Sequence, residues 1–332
     1  LNYYAIPAVM QSLGIKTVFV DVDSQTGYID IDHLAKSITS KTKAVIVTHL
    51  FGRVCDMDKI VDLVKSNNSF LIEDCAQALG VEHKGKRAGS FGDAALFSFG
   101  IGKDLICFGG GMITVADSVV ARTIEEKMAQ CRAPGRGFIA KEISKHIIAM
   151  LFSKRIIFGI FVFPFLRLFY LYKNFNLLDF LFGETPKAVS KRFLLASDNR
   201  LSDFQAAIGL GQLSFIDKEN KKRIANSKIL NQELAELSII LNTCEGSNIY
   251  SAYKILIADK EGFRKKMLSR GIDTQREDIH ACNNLAFIDS NNNYPVSEDL
   301  SNRLLGIPNY SCLTKNEARK VAKIVKSILN ET

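Results

Sequence analysis

The first 135 residues alternate between short apolar runs and longer amphipathic stretches. Thr17–Asp23 (TVFVDVD), Lys43–Gly52 (KAVIVTHLFG), Ser69–Gln77 (SFLIEDCAQ) and Ala94–Gly100 (AALFSFG) are apolar runs of strand length, rich in β-branched and aromatic residues. That pattern predicts strands buried in a parallel sheet. Between them, Ile31–Ile38 opens on an acid-rich turn, and Asp56–Asn68 is amphipathic and stops at a pair of asparagines; both read as helices. The alternation predicts an α/β fold, a mostly parallel sheet with helices on both faces. In such sheets the chemistry gathers beyond the carboxyl ends of the strands. Asp74, Gln77, Ser98 and Lys103 all stand at or just past a predicted strand end.

Residues 139–197 differ in character, and His146–Phe175 is dense in Ile, Leu and Phe. The longest uncharged stretch, Ile156–Leu166, has 11 residues, short of the about 20 that a spanning helix needs. Lys154, Arg155, Arg167 and Lys173 flank or interrupt the apolar runs. Two readings stay open: a segment lying in a membrane interface, with residues 147–172 making peripheral contact, or a helical insertion packed on the body or on a second subunit. After Ser202 the pattern is globular again. Asp203–Asp217 is a predicted helix with a small-residue face, Tyr253–Asp259 a short strand and Lys315–Leu329 a closing helix. The predicted division is a large domain over 1–138, an apolar and basic helical insertion over 139–197, and a connecting helix with a small α+β C-terminal domain over 198–332.

Composition changes this picture little. The 332 residues are 47% apolar and 23% charged, an ordinary globular balance. A net charge of +8 without any nucleic-acid-binding motif argues against a nucleic-acid partner and leaves a slightly basic surface, a small anionic ligand such as a nucleotide or phosphate, or an acidic membrane surface. Seven cysteines, at 55, 75, 107, 131, 244, 282 and 312, form no C-x-x-C pair, which points to reduced thiols and a cytoplasmic protein. The five histidines stand singly, so no metal site is expected. The chain enters at Leu1 in mid-pattern and is read as cut at its N-terminus.

Phe70–Met112 carries residue types that suit pyridoxal 5'-phosphate. That cofactor needs a lysine amine for its aldehyde, a carboxylate to keep its ring nitrogen protonated, and donors for its phosphate. Asp74 ends a buried strand, where a carboxylate needs a cationic partner to stay charged. Lys103 follows a Gly-x-Gly turn, Gly100 to Gly102, and FGGGMI (Phe108–Ile113) lets the chain return close by. Singly each residue reads more simply: an Asp after a strand most often caps a turn, and a loop Lys is most often solvated. The order and spacing of the whole set carry the inference.

His49–Ile60 (HLFGRVCDMDKI), Ile72–Leu105, Phe108–Asp117 (FGGGMITVAD) and Arg200–Leu213 (RLSDFQAAIGLGQL) resemble the DegT/DnrJ/EryC1/StrS aminotransferase family. The resemblance covers nearly the whole chain except the apolar insertion. It implies the fold-type-I pyridoxal-phosphate transferase fold, a homodimer, and transfer of an amino group, commonly from glutamate, to a nucleotide- or carrier-linked keto-sugar in polysaccharide or glycoconjugate synthesis. It further implies that Asp74 pairs with the ring nitrogen, Gln77 contacts the ring hydroxyl, Ser98 the phosphate, Lys103 bonds the cofactor and Tyr3 stacks on its ring. Three departures matter. The family's N-terminal phosphate-binding turn lies before Leu1; Gly102 replaces the common Thr before the lysine; and Asp198-Asn199-Arg200 stands for Asn-Tyr-Arg. Either Asn199 takes the Asn role of reaching a neighbouring subunit's phosphate, shifted by one, or Asp198 weakens that site by charge repulsion. Two other activities stay open: a pyridoxal-phosphate sugar dehydratase, against which Lys103 in place of histidine argues, and a non-catalytic membrane-associated relative.

Overall fold

The structure, a computed structural model, describes residues 1–100, 102–173, 199–237, 248–275, 279–288 and 292–331. Among the described residues ten strands run in chain order: β1 (Asn2–Tyr3), β2 (Ala44–Thr48), β3 (Phe70–Asp74), β4 (Glu82–His83), β5 (Lys86–Arg87), β6 (Ala94–Ser98), β7 (Gly111–Val115), β8 (Tyr253–Leu256), β9 (Ile279–His280) and β10 (Leu304–Ile307). The main sheet has the order β2-β3-β6-β7. β2 and β6 run parallel to β3, and β7 closes the edge antiparallel to β6. The helix Met57–Ser66 covers this sheet with Met57, Ile60 and Val64, all fully buried, in one cluster with Val45, Val47 and Leu71. Each such side chain contributes about 1.5–3 kcal/mol over an exposed one. The asparagine stop works through backbone shape: Asn68 adopts φ 55°, and Ser69 N–H then bonds Val64 O at 3.2 Å.

A second core lies beyond residue 230. The β8–β10 pair packs with Leu230, Leu234, Phe263 and Met267 against Val321, Val325 and Ile328 of the helix Lys315–Leu329. That helix begins on a capping box in which Thr314 and Glu317 satisfy each other's backbone N–H groups. The N-terminal strand β1 pairs antiparallel with β9, so residues 2–3 and 279–280 are held together.

Several sequence expectations need correction. Thr17–Asp23 is not a strand; only Val22 bridges, to Ile29. Asp23 instead closes a turn, its carboxylate accepting from Gln25 N, Thr26 N and Thr26 Oγ1. Asp21 is drawn to the C-terminal part, where its carboxylate accepts from the Val296 and Ser297 amides and the Ser297 hydroxyl. Those side-chain bonds take the segment out of the sheet. The run from Lys43 leaves strand geometry after Thr48, because Phe51 takes φ 62° in a tight turn. The helix expected over Asp203–Asp217 stops at Leu213, and a separate helix spans Ile216–Leu234.

The apolar stretch is helical: Arg136–Ser153, a short turn Arg155–Ile157, a π-helical turn Phe158–Val162, and Phe163–Lys173. The first of these starts ahead of the expected boundary at 138. Residues 174–197 of the predicted insertion, with Asp198 and Cys244, lie outside the described residues. No single described helix is long and apolar enough to cross a membrane.

Candidate active site

The parallel strands β2, β3 and β6 end on Thr48, Asp74 and Ser98, so one edge of the sheet collects all three residues. Thr48 is the register partner of Asp74. Asp74 is 3% exposed. Ala76 N–H donates to its Oδ1 at 3.0 Å and the Thr48 hydroxyl to its Oδ2 at 3.3 Å. Thr48 in turn accepts from Asn2 Nδ2 at 2.7 Å, a relay that runs from β1 to the carboxylate. Burial pushes the Asp74 carboxyl up; the Ala76 amide, the charge of Lys103, Thr48 and His49 pull the other way and leave it raised. An ionised Asp74 is thus under-compensated by the protein alone, and a cationic ring N–H is the partner that would complete it. This donor set fits pyridoxal phosphate.

Lys103 sits on a loop that leaves β6 and returns as β7. Phe99 closes its base: Phe99 N–H bonds Gly110 O at 2.9 Å, and the Cys107 and Gly109 amides bond Phe99 O at 3.0 and 3.3 Å. Gly102 lets the chain turn at φ 76° immediately before the lysine. At Gly111 a Cβ would lie 2.4 Å from Phe97 O, so only glycine allows β7 this close. The helix Asp203–Leu213 pins the loop from one side. Gln205 Nε2 donates to Cys107 O at 2.9 Å, and Gln212 bonds both the N–H and the C=O of Ile106. Gly209 lies between these glutamines on the same helical face, where a Cβ would meet Cys107 Sγ at 2.8 Å. From the helix Ile216–Leu234, Arg223 reaches Asp104 at 2.7 Å, both side chains largely buried. Burial raises the Asp104 carboxyl, with the Arg223 and Lys103 charges opposing that rise.

The other expected site residues divide. Gln77 Oε1 accepts from Phe51 N–H at 2.9 Å, which leaves its amide NH2 as the donor end. Ser251 donates to Gln77 O at 2.8 Å and ties this turn to the C-terminal part. Ser98 is half-buried at the end of β6. Tyr3 is half-buried in β1, its ring 4.4 Å from Tyr4, next to the Asn2 that feeds the Asp74 relay. Asn199 stands apart: it is exposed, bridges Arg132, and makes no hydrogen bond to Asp74, Gln77 or Lys103 among the described residues.

Sequence reasoning missed the support under Asp74. His49 Nε2 lies 3.0 Å from Glu73 Oε2, and both side chains are fully buried. Glu73 also accepts from the amides of Gly89, Phe91 and Gly92 at 2.8, 2.6 and 2.7 Å. Burial opposes the charged imidazolium of His49, but the neighbouring Cys55 and the Glu73 carboxylate outweigh it and raise its pKa to about 9. Burial likewise works against the Glu73 carboxylate, and its His49 and backbone bonds hold it below its ordinary value. Folding brings His49, Glu73 and Cys75 within 4.8 Å of one another, a grouping that sequence spacing did not reveal. Four donors already occupy the two Glu73 oxygens, and burial pushes the Cys75 thiol well up, so the group reads as an ion pair and not as a ligand set.

The pattern of the DegT/DnrJ/EryC1/StrS aminotransferase family matches residues 1–156 and 171–326, and so takes in Asp74, the Lys103 loop and the helix that pins it. The chain belongs to that family. GDP-perosamine synthase of Escherichia coli O157:H7 is 42% identical over 120 residues, 36% of this chain and 33% of that protein. The L-glutamine:2-deoxy-scyllo-inosose aminotransferase of Micromonospora echinospora is 30% identical over 239 residues, 72% of this chain and 47% of that protein. The chain thus spans about a third and just under half of the length of these two relatives. The crystal structure of an aminotransferase from Psychrobacter cryohalolentis superposes with a TM-score of 0.72 at 20% identity, covering 99% of this chain and 80% of that one. The mixed sheet flanked by helices is the fold-type-I pyridoxal-phosphate transferase architecture of this family. The unmatched residues 157–170 fall inside the apolar helices.

Proposed function

We propose that the chain is the body of a pyridoxal-phosphate-dependent aminotransferase that moves an amino group, from glutamate, to a nucleotide- or carrier-linked keto-sugar. The observation that carries this reading is the buried Asp74 carboxylate at a strand end, in the electrostatic reach of Lys103 and short of a full countercharge. Bound pyridoxal phosphate supplies an electron sink for the carbon that bears the amino group. Asp74 holds a proton on the ring nitrogen, oriented by Thr48 and Ala76. With the cofactor bound, the NH2 end of Gln77 would donate to the ring hydroxyl, Tyr3 would cover a ring face and Ser98 would donate to the phosphate. Lys103 Nζ is the amine that holds the cofactor and the base that moves the proton at the substrate carbon. The names of the relatives support a sugar substrate, and a lysine at 103 favours amino transfer over dehydration.

The enzyme works as a homodimer in which Asn199 reaches the phosphate of the neighbouring copy. Its exposed position supports this, as do the exposed apolar side chains Met112 and Ile113 on β7 and Phe204, Leu210 and Leu213 on the adjoining helix. The free thiols of Cys55, Cys75, Cys107, Cys131, Cys282 and Cys312 support a cytoplasmic location, with residues 147–172 in contact with the inner face of the membrane. The functional test combines the protein with pyridoxal phosphate, glutamate and a panel of nucleotide-linked keto-sugars, with mass spectrometry for amino-sugar and 2-oxoglutarate. Product from the parent and none from Lys103→Ala supports the proposal. Equal product from both removes Lys103 from the chemistry.

A further inference from the structure

We infer that the bent helical pair Arg136–Ser153 and Arg155–Leu168 is a docking surface for an anionic bilayer face, lying in the plane of the interface. This deepens the membrane placement of residues 147–172 and rests on it. The two helices meet at 69°, so they form no straight span, while a shallow seat among headgroups suits a bent apolar and basic element. Their outer side is apolar and wet: Ile156 is 74% exposed, and Phe152, Ile160, Phe161, Phe165 and Leu168 are all more than half exposed. The pair is braced from behind. His146 packs edge-on against Phe108 of the lysine loop at 4.9 Å, Arg155 bonds Glu317 at 2.7 Å, and Leu166 is buried. The apolar side is therefore presented outward by contacts with the body.

Charge selects the occupant. From Ser144 to Asn174 there is no Asp or Glu; Lys145 and Arg155 pair with Glu142 and Glu317, and Lys154, Arg167 and Lys173 add further basic positions. A second copy seated on this face would set like charges against each other. An anionic headgroup layer complements them and accepts the Phe and Ile side chains at the same depth. Contact through His146 and Phe108 also keeps the lysine loop close to the docked surface.

The test is co-sedimentation of the full chain with vesicles of phosphatidylcholine alone, and of equal parts phosphatidylcholine and phosphatidylglycerol, at low and high salt. The inference expects binding to the anionic vesicles that weakens with salt. Each basic residue at such a surface changes partitioning roughly fivefold. Lys154→Gln with Arg167→Gln therefore lowers it by roughly twenty-fivefold. Phe161→Ser with Phe165→Ser releases the protein while thermal melting shows the fold intact. Equal binding to both vesicle types, insensitive to salt, overturns the anionic selection and leaves the membrane placement standing. No binding to either type overturns both, and a fall in solution mass for the Phe variant would then assign the face to a second copy. The cofactor's absorbance on Lys103 is read separately, so failure here does not touch the aminotransferase reading.

Discussion

Replacing Glu73 by Gln keeps the side-chain shape and removes the charge under Asp74. In the parent, Oε1 accepts from the Phe91 and Gly92 amides and Oε2 from Gly89 N–H and His49 Nε2. A glutamine offers one oxygen, so its NH2 must face two of these donors. Breaking one partner of a buried ion pair costs about 3–5 kcal/mol, and each buried donor left unmet costs about 1–3 kcal/mol. These terms overlap, and a net loss of about 4 kcal/mol is expected, a large share of the stability of an ordinary domain. Melting of the full chain should fall by roughly 10 °C, and urea unfolding should show the same loss. The pH dependence gives an independent check. The His49 pKa is raised from 6.5 to about 9, so its contribution is fully present below 6.5 and is lost as pH rises through 9. The Glu73 pKa is lowered from 4.5, so its contribution is present above 4.5 and is lost as pH falls through the folded value. Parent stability should decline between pH 6.5 and 9, and Glu73→Gln should flatten that decline. A loss below about 1 kcal/mol, with the alkaline decline unchanged, would refute the ion-pair account.

Asp74→Asn should leave the fold intact and cut amino transfer by about a hundredfold or more, because the ring nitrogen loses its counter-ion; near-parent turnover in a coupled glutamate assay removes Asp74 from the site. Arg223→Met should leave Asp104 buried without its guanidinium partner and lower urea stability by about 3–5 kcal/mol; an unchanged midpoint would show that the lysine loop does not depend on the pair. Gly209→Val should lower the melting temperature by driving a side chain into Cys107 Sγ, and Cys107→Ala should restore part of it; equal melting of Gly209→Val and the parent counts against the close approach of helix and loop.

Of the main-sheet strands, β2, β3 and β6 were legible as short apolar runs, whereas the largely exposed β7 was read only as a returning chain; the strand-end rule picked out the candidate site residues. Asp74 and Ser98 stand where that rule puts them, each the last residue of its strand. Thr17–Asp23 misled because its periodicity is that of a strand, while Asp21 and Asp23 spend their carboxylates on a turn and on Ser297, a partner 276 residues away. The supporting groups were hidden for the same reason. His49 and Glu73 are 24 residues apart, and Arg223 sits in a basic run that reads as a solvated helix face. The small-residue face of QAAIGLGQL was visible; that it makes room for Cys107, between two glutamines holding the lysine loop, needed the packing. The helical nature of the apolar stretch was legible from composition, but its bend was not.

The central claim is that Lys103 is the lysine that holds pyridoxal phosphate. Borohydride reduction of the protein incubated with the cofactor, followed by peptide mapping, tests it most directly. A pyridoxyl label is expected on the peptide that carries Lys103, and none after Lys103→Ala. A label on any other lysine that persists in the Lys103→Ala protein would contradict it.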